Sequence, residues 1–182
     1  MKNSLIILSG PSGVGKGTII ERLLSRGGFA LSVSCTTRSP RKGETDGVSY
    51  FFISKEKFNE MLENGGFLEY SRHFENYYGT PRKFVEEKLK TNNVILEIEV
   101  DGALQVKNAY PEALLIMVLP PDRAELRARL IKRGSESEEQ IGERLARLDY
   151  ELSKRDSYDF VVINDDLEKT VKDIENIIKA RN

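Results

Sequence analysis

The sequence predicts an α/β fold in which a parallel core sheet is flanked by helices. Apolar, strand-like runs alternate along the chain with segments in which apolar residues recur at helical spacing. A glycine-rich turn joins the first of these runs, residues 4–9, to an amphipathic helix at residues 15–25. A stretch rich in aromatic residues and turn formers, 34–80, interrupts the alternation and predicts a β-rich lobe inserted into the core.

The elements can be assigned in order along the chain. Further core strands are expected at residues 31–35, 94–100, 114–119 and 160–163. The strands at 114–119 and 160–163 are apolar and are expected to be buried. Later helices are expected at residues 81–90, 102–110 and 122–133, after the Ser137 capping box, and at the end of the chain, where Leu167, Val171, Ile174 and Ile178 share a face.

The lobe and a second insertion complete the predicted domain. Within the lobe we expect strands at 48–53 and 67–74, a helix capped by Ser54 and a turn at 76–79. We predict one domain, 1–182, made of core segments 1–33, 81–125 and 156–182, the inserted lobe 34–80 and a helical lid 126–155.

Charge and composition exclude several classes of function. The 182 residues carry a formal net charge of −1, which provides no field that favours nucleic acid or an anionic membrane. No apolar run approaches the ~20 residues of a membrane span, and no signal peptide precedes the first strand. The single cysteine, Cys35, allows no intrachain disulfide, which favours a cytoplasmic protein with a buried Cys35. The only histidine, His73, is expected to be structural.

Residues 9–18 carry the clearest chemical signal. Gly10 and the pair Gly15–Lys16 have the spacing of a phosphate-binding loop, in which glycines let successive backbone N–H groups point at an anion. The following helix adds its positive end, and Lys16 adds a point charge for β- and γ-phosphates. Because Gly17 stands where the strict motif has Ser or Thr, Thr18 is the hydroxyl expected near Mg²⁺. The alternative is a glycine-rich turn with an incidental lysine.

The start of the lobe carries residues suited to a second anion. Arg38 and Arg41 flank Pro40, a spacing that suits a two-pronged grip on phosphate or carboxylate. Tyr50 and Tyr78 would add phenol donors to the same anion. The alternatives are solvated surface arginines and tyrosines that pack the lobe.

Carboxylates interrupt two apolar strands. Glu69 lies in one lobe strand, and period two places Glu97, Glu99 and Asp101 on one face at the end of a core strand. Ligands of parallel sheets bind at the carboxyl ends of the strands, where such groups can hold Mg²⁺ through water or accept from the N–H groups of a base. The alternative is an exposed strand end.

The lid carries arginines suited to phosphate charge. Arg129 and Arg133 lie four residues apart on one helix face, and Arg144 is placed to face the same gap. This pattern is typical of a mobile lid that stabilises charge on a transferring phosphoryl group. A simple ion pair between Glu125 and Arg129 is the alternative.

In this order the motifs resemble the guanylate kinase family, and the resemblance covers essentially the whole chain. Its most specific parts are the runs SGPSGVGKGT at 9–18, SCTTRSPRKGE at 34–44, NYYGT at 76–80, RGSE at 133–136 and VIND at 162–165. The resemblance implies a P-loop nucleotide kinase fold and the reaction ATP + GMP ⇌ ADP + GDP with Mg²⁺.

The resemblance also assigns the donor nucleotide. ATP would be held by the loop residues Ser12, Gly13, Val14, Gly15, Lys16, Gly17 and Thr18, with Asn164 and Asp165 near the adenine. Charge in a direct in-line transfer would be stabilised by Lys16, Arg38, Arg129, Arg133 and Arg144. Mg²⁺ would be held largely through water by Thr18, Glu99 and Asp101.

The acceptor nucleotide is assigned in the same way. The GMP phosphate would be held by Arg38, Arg41, Tyr50 and Tyr78. Ser34 and Thr80 would reach guanine O6, and Glu69 with Glu97 or Glu99 would accept from N1–H and N2–H₂, which matches the donor and acceptor pattern of guanine. The family more often has Asp at the position of Glu99, so which of Glu97 and Glu99 contacts the base stays open.

Two other functions fit parts of the pattern. Guanylate-kinase-like domains of scaffold proteins bind phosphorylated peptides, and related enzymes phosphorylate other nucleoside monophosphates. An intact Lys16 argues against the first, and the set Ser34, Glu69 and Thr80 argues for guanine. We therefore expect ATP and GMP as partners, with no nucleic acid and no membrane; use of dGMP and a homo-oligomer are left open.

Overall fold

Strands and helices alternate through the part of the chain that the computed structural model describes, residues 3–134 and 137–181, with Arg133 described by its backbone alone. In chain order the elements are β1 (Leu5–Ser9), α1 (Lys16–Ser25), β2 (Phe29–Leu31), β3 (Cys35–Thr36), β4 (Phe51–Phe52), α2 (Lys55–Glu63), β5 (Phe67–His73), β6 (Asn76–Pro81), α3 (Arg82–Leu89), β7 (Asn93–Glu97), α4 (Val100–Ala109), β8 (Leu114–Leu119), α5 (Arg123–Arg133), α6 (Glu138–Ser153), β9 (Phe160–Ile163) and α7 (Leu167–Arg181).

The core sheet is parallel throughout, which confirms the predicted fold class. Its strand order is β2-β7-β1-β8-β9, so β1 is the central strand. All five residues of β1 are buried, because helices cover both faces of the sheet. Each apolar side chain buried in this way stabilises the fold by roughly 1.5–3 kcal/mol relative to exposure.

Alternation along β1 divides the apolar core into two layers. Leu5 and Ile7 face a cluster that also contains side chains of α3, α4, α5 and α6. Ile6 and Leu8 face a cluster formed with α1 and α7. The two layers hold β1 in register with its two neighbours, β7 and β8, so the strand ends on one edge of the sheet lie side by side.

A second, smaller sheet lies within residues 35–81 and has the strand order β4-β3-β6-β5. Its own apolar cluster is centred on Phe58, which stacks on Phe67 at 4.4 Å and on Tyr77 at 5.4 Å between ring centroids. Cys35 is buried in this cluster, as predicted. The sheet occupies nearly the same residues as the predicted lobe, 34–80; the boundaries of lobe and lid as separate units stay predictions.

Two elements of the lobe differ from the sequence prediction. The strand expected over 31–35 is split: residues 32–34 leave the core sheet and cross to the second sheet, where the Ser34 carbonyl accepts from the Phe51 amide. The turn expected at 76–79 is strand β6, because Tyr77 packs on Phe58 and Gly79 closely approaches Phe67. Tertiary packing outweighs the turn propensity of this segment.

Three further strands differ from the sequence prediction in their bounds or their burial. The strand expected over 94–100 ends at Glu97, and Glu99 is already the N-cap of α4. The strand expected over 48–53 is reduced to Phe51–Phe52. β9 is the edge strand of the core sheet, and only Val162 of its four residues is buried, so the expectation of a buried strand at 160–163 holds for that residue alone.

The predicted helix starts are confirmed by their caps. The Ser54 side chain accepts from the Lys57 amide at the start of α2, and Ser137 forms the expected capping box with Gln140 at the start of α6. Each such cap stabilises a helix by about 1 kcal/mol. None of the helices in the described ranges has the length and apolar character that a membrane crossing requires.

The aromatic cluster of the lobe gives a stability prediction. Phe58 is fully buried, whereas Phe74, at the hairpin tip, is 95% exposed. We expect Phe58→Ala to lower the free energy of unfolding by about 3–5 kcal/mol, because a large buried ring leaves a cavity. Phe74→Ala is the matched control, with a change within about 0.5 kcal/mol. Urea unfolding followed by tyrosine fluorescence measures both, and equal midpoints for the two variants would contradict the assignment.

Candidate functional site

The loop after β1 curls tightly against the neighbouring strands. Gly10 has φ +136°, and a Cβ there would overlap the Val118 carbonyl oxygen of β8. Gly15 has φ +101°, and a Cβ there would come within 2.7 Å of the Asn164 side-chain nitrogen. Since α1 begins at Lys16, its N-terminal N–H groups open onto this loop, which is the geometry of an anion-binding site.

The Lys16 ammonium lies against the loop's own backbone. Its Nζ donates to the carbonyl oxygens of Gly10, at 2.6 Å, and Pro11, at 3.2 Å. Burial lowers the pKa of Lys16, and the charges of Glu97 and Glu151 oppose that shift. A cation that is partly removed from water interacts strongly with an incoming phosphate, because the local dielectric is low.

A cleft of about 520 Å³ opens from this loop. Its floor is the phosphate loop, and its other walls come from the end of β7 and from α6; the lining residues are Gly10, Pro11, Ser12, Lys16, Tyr50, Glu97, Ile98, Glu99, Arg144, Arg147 and Glu151. We call it the donor cleft. It contains the positive groups that a nucleoside triphosphate requires.

A second cleft, of about 790 Å³, lies against the lobe and is called the acceptor cleft. Most of the residues predicted to bind the acceptor line it, namely Ser34, Arg41, Tyr50, Glu69, Tyr78, Glu97 and Glu99. The two clefts share one wall, formed by Tyr50, Glu97, Ile98, Glu99, Arg144 and Arg147. Ligands bound in both would therefore meet at this wall.

Glu69 and Thr80 form a buried polar pair at the inner end of the acceptor cleft. They lie on the adjacent strands β5 and β6, and the Thr80 hydroxyl donates to Glu69 Oε1 at 2.6 Å. The second oxygen of Glu69 lies beside Gly102, 3.0 Å from where a Cβ would stand. Burial raises the pKa of the Glu69 carboxyl. A carboxylate in this setting strongly favours a partner that donates hydrogen bonds.

Arg38 is paired with a carboxylate that the sequence analysis did not assign. Its guanidinium donates to both oxygens of Glu44, at 2.6 and 2.7 Å, and lies 5.3 Å from the centroid of the Tyr50 ring. Glu44 also accepts from the Arg41 amide. Hydrogen bonding to Arg38, and then to this amide, lowers the pKa of Glu44 to about 2. Two basic positions thus converge on one anionic group.

The acidic residues after β7 do not share one strand face, because the strand ends before Glu99. They still converge on the clefts: Glu97 and Glu99 line both, and Asp101, in the first turn of α4, lines the acceptor cleft. The Glu99 carboxylate accepts from Arg147 at 2.7 Å, and Asp101 accepts from the Tyr150 hydroxyl. Contacts with α6 therefore hold both groups.

The predicted lid arginines occupy different positions. Arg129 pairs with Glu125 at 2.7 Å, as in the simple alternative, and also donates to the Asn164 carbonyl at 3.0 Å, beside the phosphate loop. Arg144 lines both clefts. The side chain of Arg133 lies outside the described part of the structure.

The remaining residues assigned to ATP surround the loop. Val14 is fully buried, and its carbonyl accepts from the Asn164 side chain at 2.7 Å, so Asn164 braces the loop. Ser12 and Gly13 are half-buried within the loop, whereas Gly17, Thr18 and Asp165 are exposed. Thr18 lies outside the lining of the donor cleft. Through this hydrogen bond Asn164, which is distant from the loop in sequence, helps to fix the shape of the loop.

Comparison with known proteins decides the family. The sequence model described as guanylate kinase matches residues 2–181. The chain belongs to the guanylate kinase family. Two of its relatives are named guanylate kinase: one from Prochlorococcus marinus subsp. pastoris is 48% identical over 99% of this chain and 100% of its own length. The other, from Clostridioides difficile, is 49% identical over 98% of this chain and 88% of its own length.

A solved guanylate kinase also has the same fold. The crystal structure of the enzyme from Anaplasma phagocytophilum aligns with a TM-score of 0.74 at 33% identity, covering 98% of this chain and 85% of that one. Together with the parallel sheet and the phosphate loop, this confirms the predicted P-loop kinase fold.

Within this guanylate kinase fold, three charged residues of the site escaped the sequence analysis. Glu44 was part of a quoted motif but was given no partner, whereas Arg147 and Glu151 lie on α6 beside the predicted Arg144. Helical spacing offered a signal, since Arg144, Arg147 and Glu151 fall on one face of α6. Nothing local in the sequence indicates that this face lies over the phosphate loop.

The glycines of the loop give a second stability prediction. We expect Gly10→Ala to lower the free energy of unfolding by about 3 kcal/mol or more, because a Cβ there overlaps backbone at a positive φ. Gly17→Ala is the control, since no atom lies within 4 Å of a Cβ there; it should be neutral or stabilising by up to about 1 kcal/mol. Urea denaturation tests the pair, and a Gly10→Ala protein as stable as Gly17→Ala would refute the proposed close approach.

Proposed function

We propose that this chain transfers the γ-phosphoryl group of ATP directly to GMP, giving ADP and GDP. The observation that carries the proposal is the shared wall of the two clefts, which places a phosphate-binding loop next to a pocket with a guanine-complementary carboxylate. Membership of the guanylate kinase family supports it independently. A phosphopeptide-binding module needs no second nucleotide site beside an intact Lys16.

The acceptor base is selected by hydrogen-bond complementarity. The Glu69 carboxylate accepts from guanine N1–H and N2–H₂, and adenine would present a lone pair there instead. The hydroxyl of Thr80 already donates its one hydrogen to Glu69. Ser34, at the edge of the acceptor cleft, is then the donor to O6, and Thr80 holds Glu69 in position; Glu99 or Glu97 accepts the remaining N2 hydrogen.

The acceptor phosphate replaces Glu44 on the arginine clamp. Arg38 and the Arg41 amide, which converge on the Glu44 carboxylate, turn to the GMP phosphate, with the Arg41 side chain and the phenols of Tyr50 and Tyr78 adding donors. The GMP phosphate is already anionic, so it attacks without a dedicated general base.

Transfer depends on positioning and on charge neutralisation. The loop N–H groups and Lys16 hold the donor phosphates, while Arg144 at the shared wall and Arg129 and Arg133 on α5 neutralise charge on the transferring group. Asn164 braces the loop and, with Asp165, lies on the side where the adenine binds. Closing the lid excludes water, which would otherwise hydrolyse ATP.

The residues of the shared wall fit Mg²⁺ as the cofactor. No three acidic, His or Cys residues of the described ranges cluster as a preformed metal site, and Mg²⁺ typically uses one or two carboxylates with waters and substrate phosphates. Glu99, joined by Glu97, would hold it largely through water; Thr18, which lies outside the lining of the donor cleft, would join through a bridging water, and Asp101 would join once it leaves Tyr150. Bound with ATP, Mg²⁺ supplies positive charge to the phosphates.

The proposed setting is the cytoplasm, where ATP and GMP are the partners. The single cysteine, Cys35, is a free, buried thiol, which supports a reducing compartment.

Substrate choice is the direct test of this function. A coupled assay of ADP release should show activity with GMP at least about 100-fold above AMP, UMP and dTMP, because a mismatched base leaves Glu69 and Ser34 unpaired. dGMP in the same assay measures how much the ribose hydroxyl contributes. Equal rates with GMP, AMP, UMP and dTMP, or no activity with GMP, would overturn the proposal.

Glu69 gives a pH prediction of its own. We expect Glu69→Gln to raise KM for GMP by about 10- to 100-fold near neutral pH, since an amide offers one acceptor where the carboxylate offers two. The carboxyl must be ionised to accept, and its folded pKa is raised above 4.5, so its contribution to binding is present above that raised pKa and lost as pH falls through it.

The ratio of the two KM values isolates this group. Titration of the GMP phosphate affects both proteins alike, whereas protonated Glu69 resembles Gln. The ratio of KM for Glu69→Gln to KM for wild type should therefore fall towards about one as pH decreases. A ratio that stays constant with pH would show that Glu69 is not the titrating acceptor.

A further inference from the structure

Glu151 is a buried carboxylate whose position the reaction described above does not explain. It lies near the end of α6, on the face that carries Arg144 and Arg147, and lines the donor cleft. The residue is only 4% exposed. Burying a carboxylate is costly unless charges or donors compensate, so its surroundings must supply both.

The compensation is incomplete in hydrogen bonds. Oε1 lies 3.5 Å from Arg147 Nε, a distance that makes an ion pair and a weak hydrogen bond at best. Oε2 is buried and has no hydrogen-bond partner within the described ranges. Burial raises the pKa of the Glu151 carboxyl, and the charges of Lys16 and Arg147 act in the opposite direction.

Lys16 is the other charge near Glu151, because both side chains line the donor cleft. The charged groups around the Lys16 ammonium are Glu97 from β7, Glu99 from the start of α4, and Glu151 and Arg144 from α6. Among these carboxylates, only Glu151 is buried. It contacts Arg147, as Glu99 also does.

We propose that Glu151 is a positioning residue for phosphoryl transfer, whose carboxylate links the Lys16 ammonium of the phosphate loop to Arg147 of the lid helix α6. The inference rests on the proposed function. Arg147 in turn binds Glu99, so the link runs from the donor loop to the shared wall of the two clefts. Lys16 and the arginine face of α6 are thereby set relative to one another before the phosphates arrive.

A purely structural role predicts a different result. Replacing a buried, poorly bonded carboxylate by a neutral isostere is often neutral or stabilising, because the desolvation cost disappears. A charge that positions catalytic groups should instead lower turnover when it is removed without lowering stability. A positioning role therefore predicts that turnover falls while stability is unchanged or higher, whereas a structural role predicts that turnover falls only when stability falls.

Glu151→Gln removes the charge and keeps the shape. We expect kcat to fall by about 10- to 100-fold while KM for GMP changes by less than about twofold, because the donor groups and not the acceptor site are displaced. The thermal midpoint should be unchanged or higher. Glu151→Asp, which keeps the charge on a shorter side chain, should recover part of the lost kcat.

Asp149→Asn is the matched control on the same helix. Asp149 pairs with Arg123 at the surface, away from both clefts, so kcat should stay within about twofold of wild type. A Glu151→Gln enzyme with wild-type kcat would overturn the proposal. So would a kcat that falls only together with the thermal midpoint, or a Glu151→Asp enzyme as slow as Glu151→Gln.

A measurement on Lys16 separates this inference from the proposed function. NMR spectra recorded at one pH in the absence of nucleotide should show displaced resonances of the Lys16 amide and ¹³Cε groups in Glu151→Gln relative to wild type and no change in Asp149→Asn. This result does not depend on which nucleotide is phosphorylated. Unchanged Lys16 resonances would overturn the link, whereas displaced Lys16 resonances in Glu151→Gln together with a wild-type protein inactive on GMP would refute only the function.

Discussion

The parallel pairing of β1 with β7 and β8 is the constraint on which the site depends. Parallel strands end at one edge of the sheet, so the segments that follow them are neighbours even when they lie far apart in sequence. The phosphate loop follows β1, the acidic residues follow β7, and Asn164 follows β9. The Val118 carbonyl of β8 completes this edge by limiting the space beside Gly10. The register of one sheet therefore sets the distance between the phosphate loop and the carboxylates.

How far the sequence could predict the structure depends on how local each signal is. The phosphate loop, the caps at Ser54 and Ser137, and the core strand at 114–119 follow from spacing within a few residues, and the structure confirms them. The segment 76–79 was misassigned because Tyr77 gains more from stacking on Phe58 than a turn would provide. Glu44 was missed because its pairing with Arg38 is made within an irregular loop, where no periodicity applies. Arg147 and Glu151 were missed because the groups they meet across the donor cleft, Glu99 and Lys16, come from other elements.

Charged groups in and beside the clefts are already paired within the protein. Lys16 donates to its own loop carbonyls, Arg38 to Glu44 and Arg147 to Glu99, so positive groups are held in place before any nucleotide binds. Preformed positions reduce the ordering that a ligand must impose, which favours transition-state stabilisation over tight ground-state binding. The contacts of Arg147 with Glu99 and of Tyr150 with Asp101 hold α6 close to the start of α4.

The contact between Glu44 and Arg38 has a consequence for which molecules can enter. Glu44 is tethered six residues from Arg38 and acts as an intramolecular competitor whose effective concentration does not change when the protein is diluted. A small carboxylate metabolite offers the clamp no more charge than Glu44 already does, and so gains little by displacing it. A phosphate monoester brings a second negative charge and a third oxygen. If Arg38 binds the acceptor phosphate as proposed, the clamp would therefore discriminate by valence, without a steric gate, against singly charged acids.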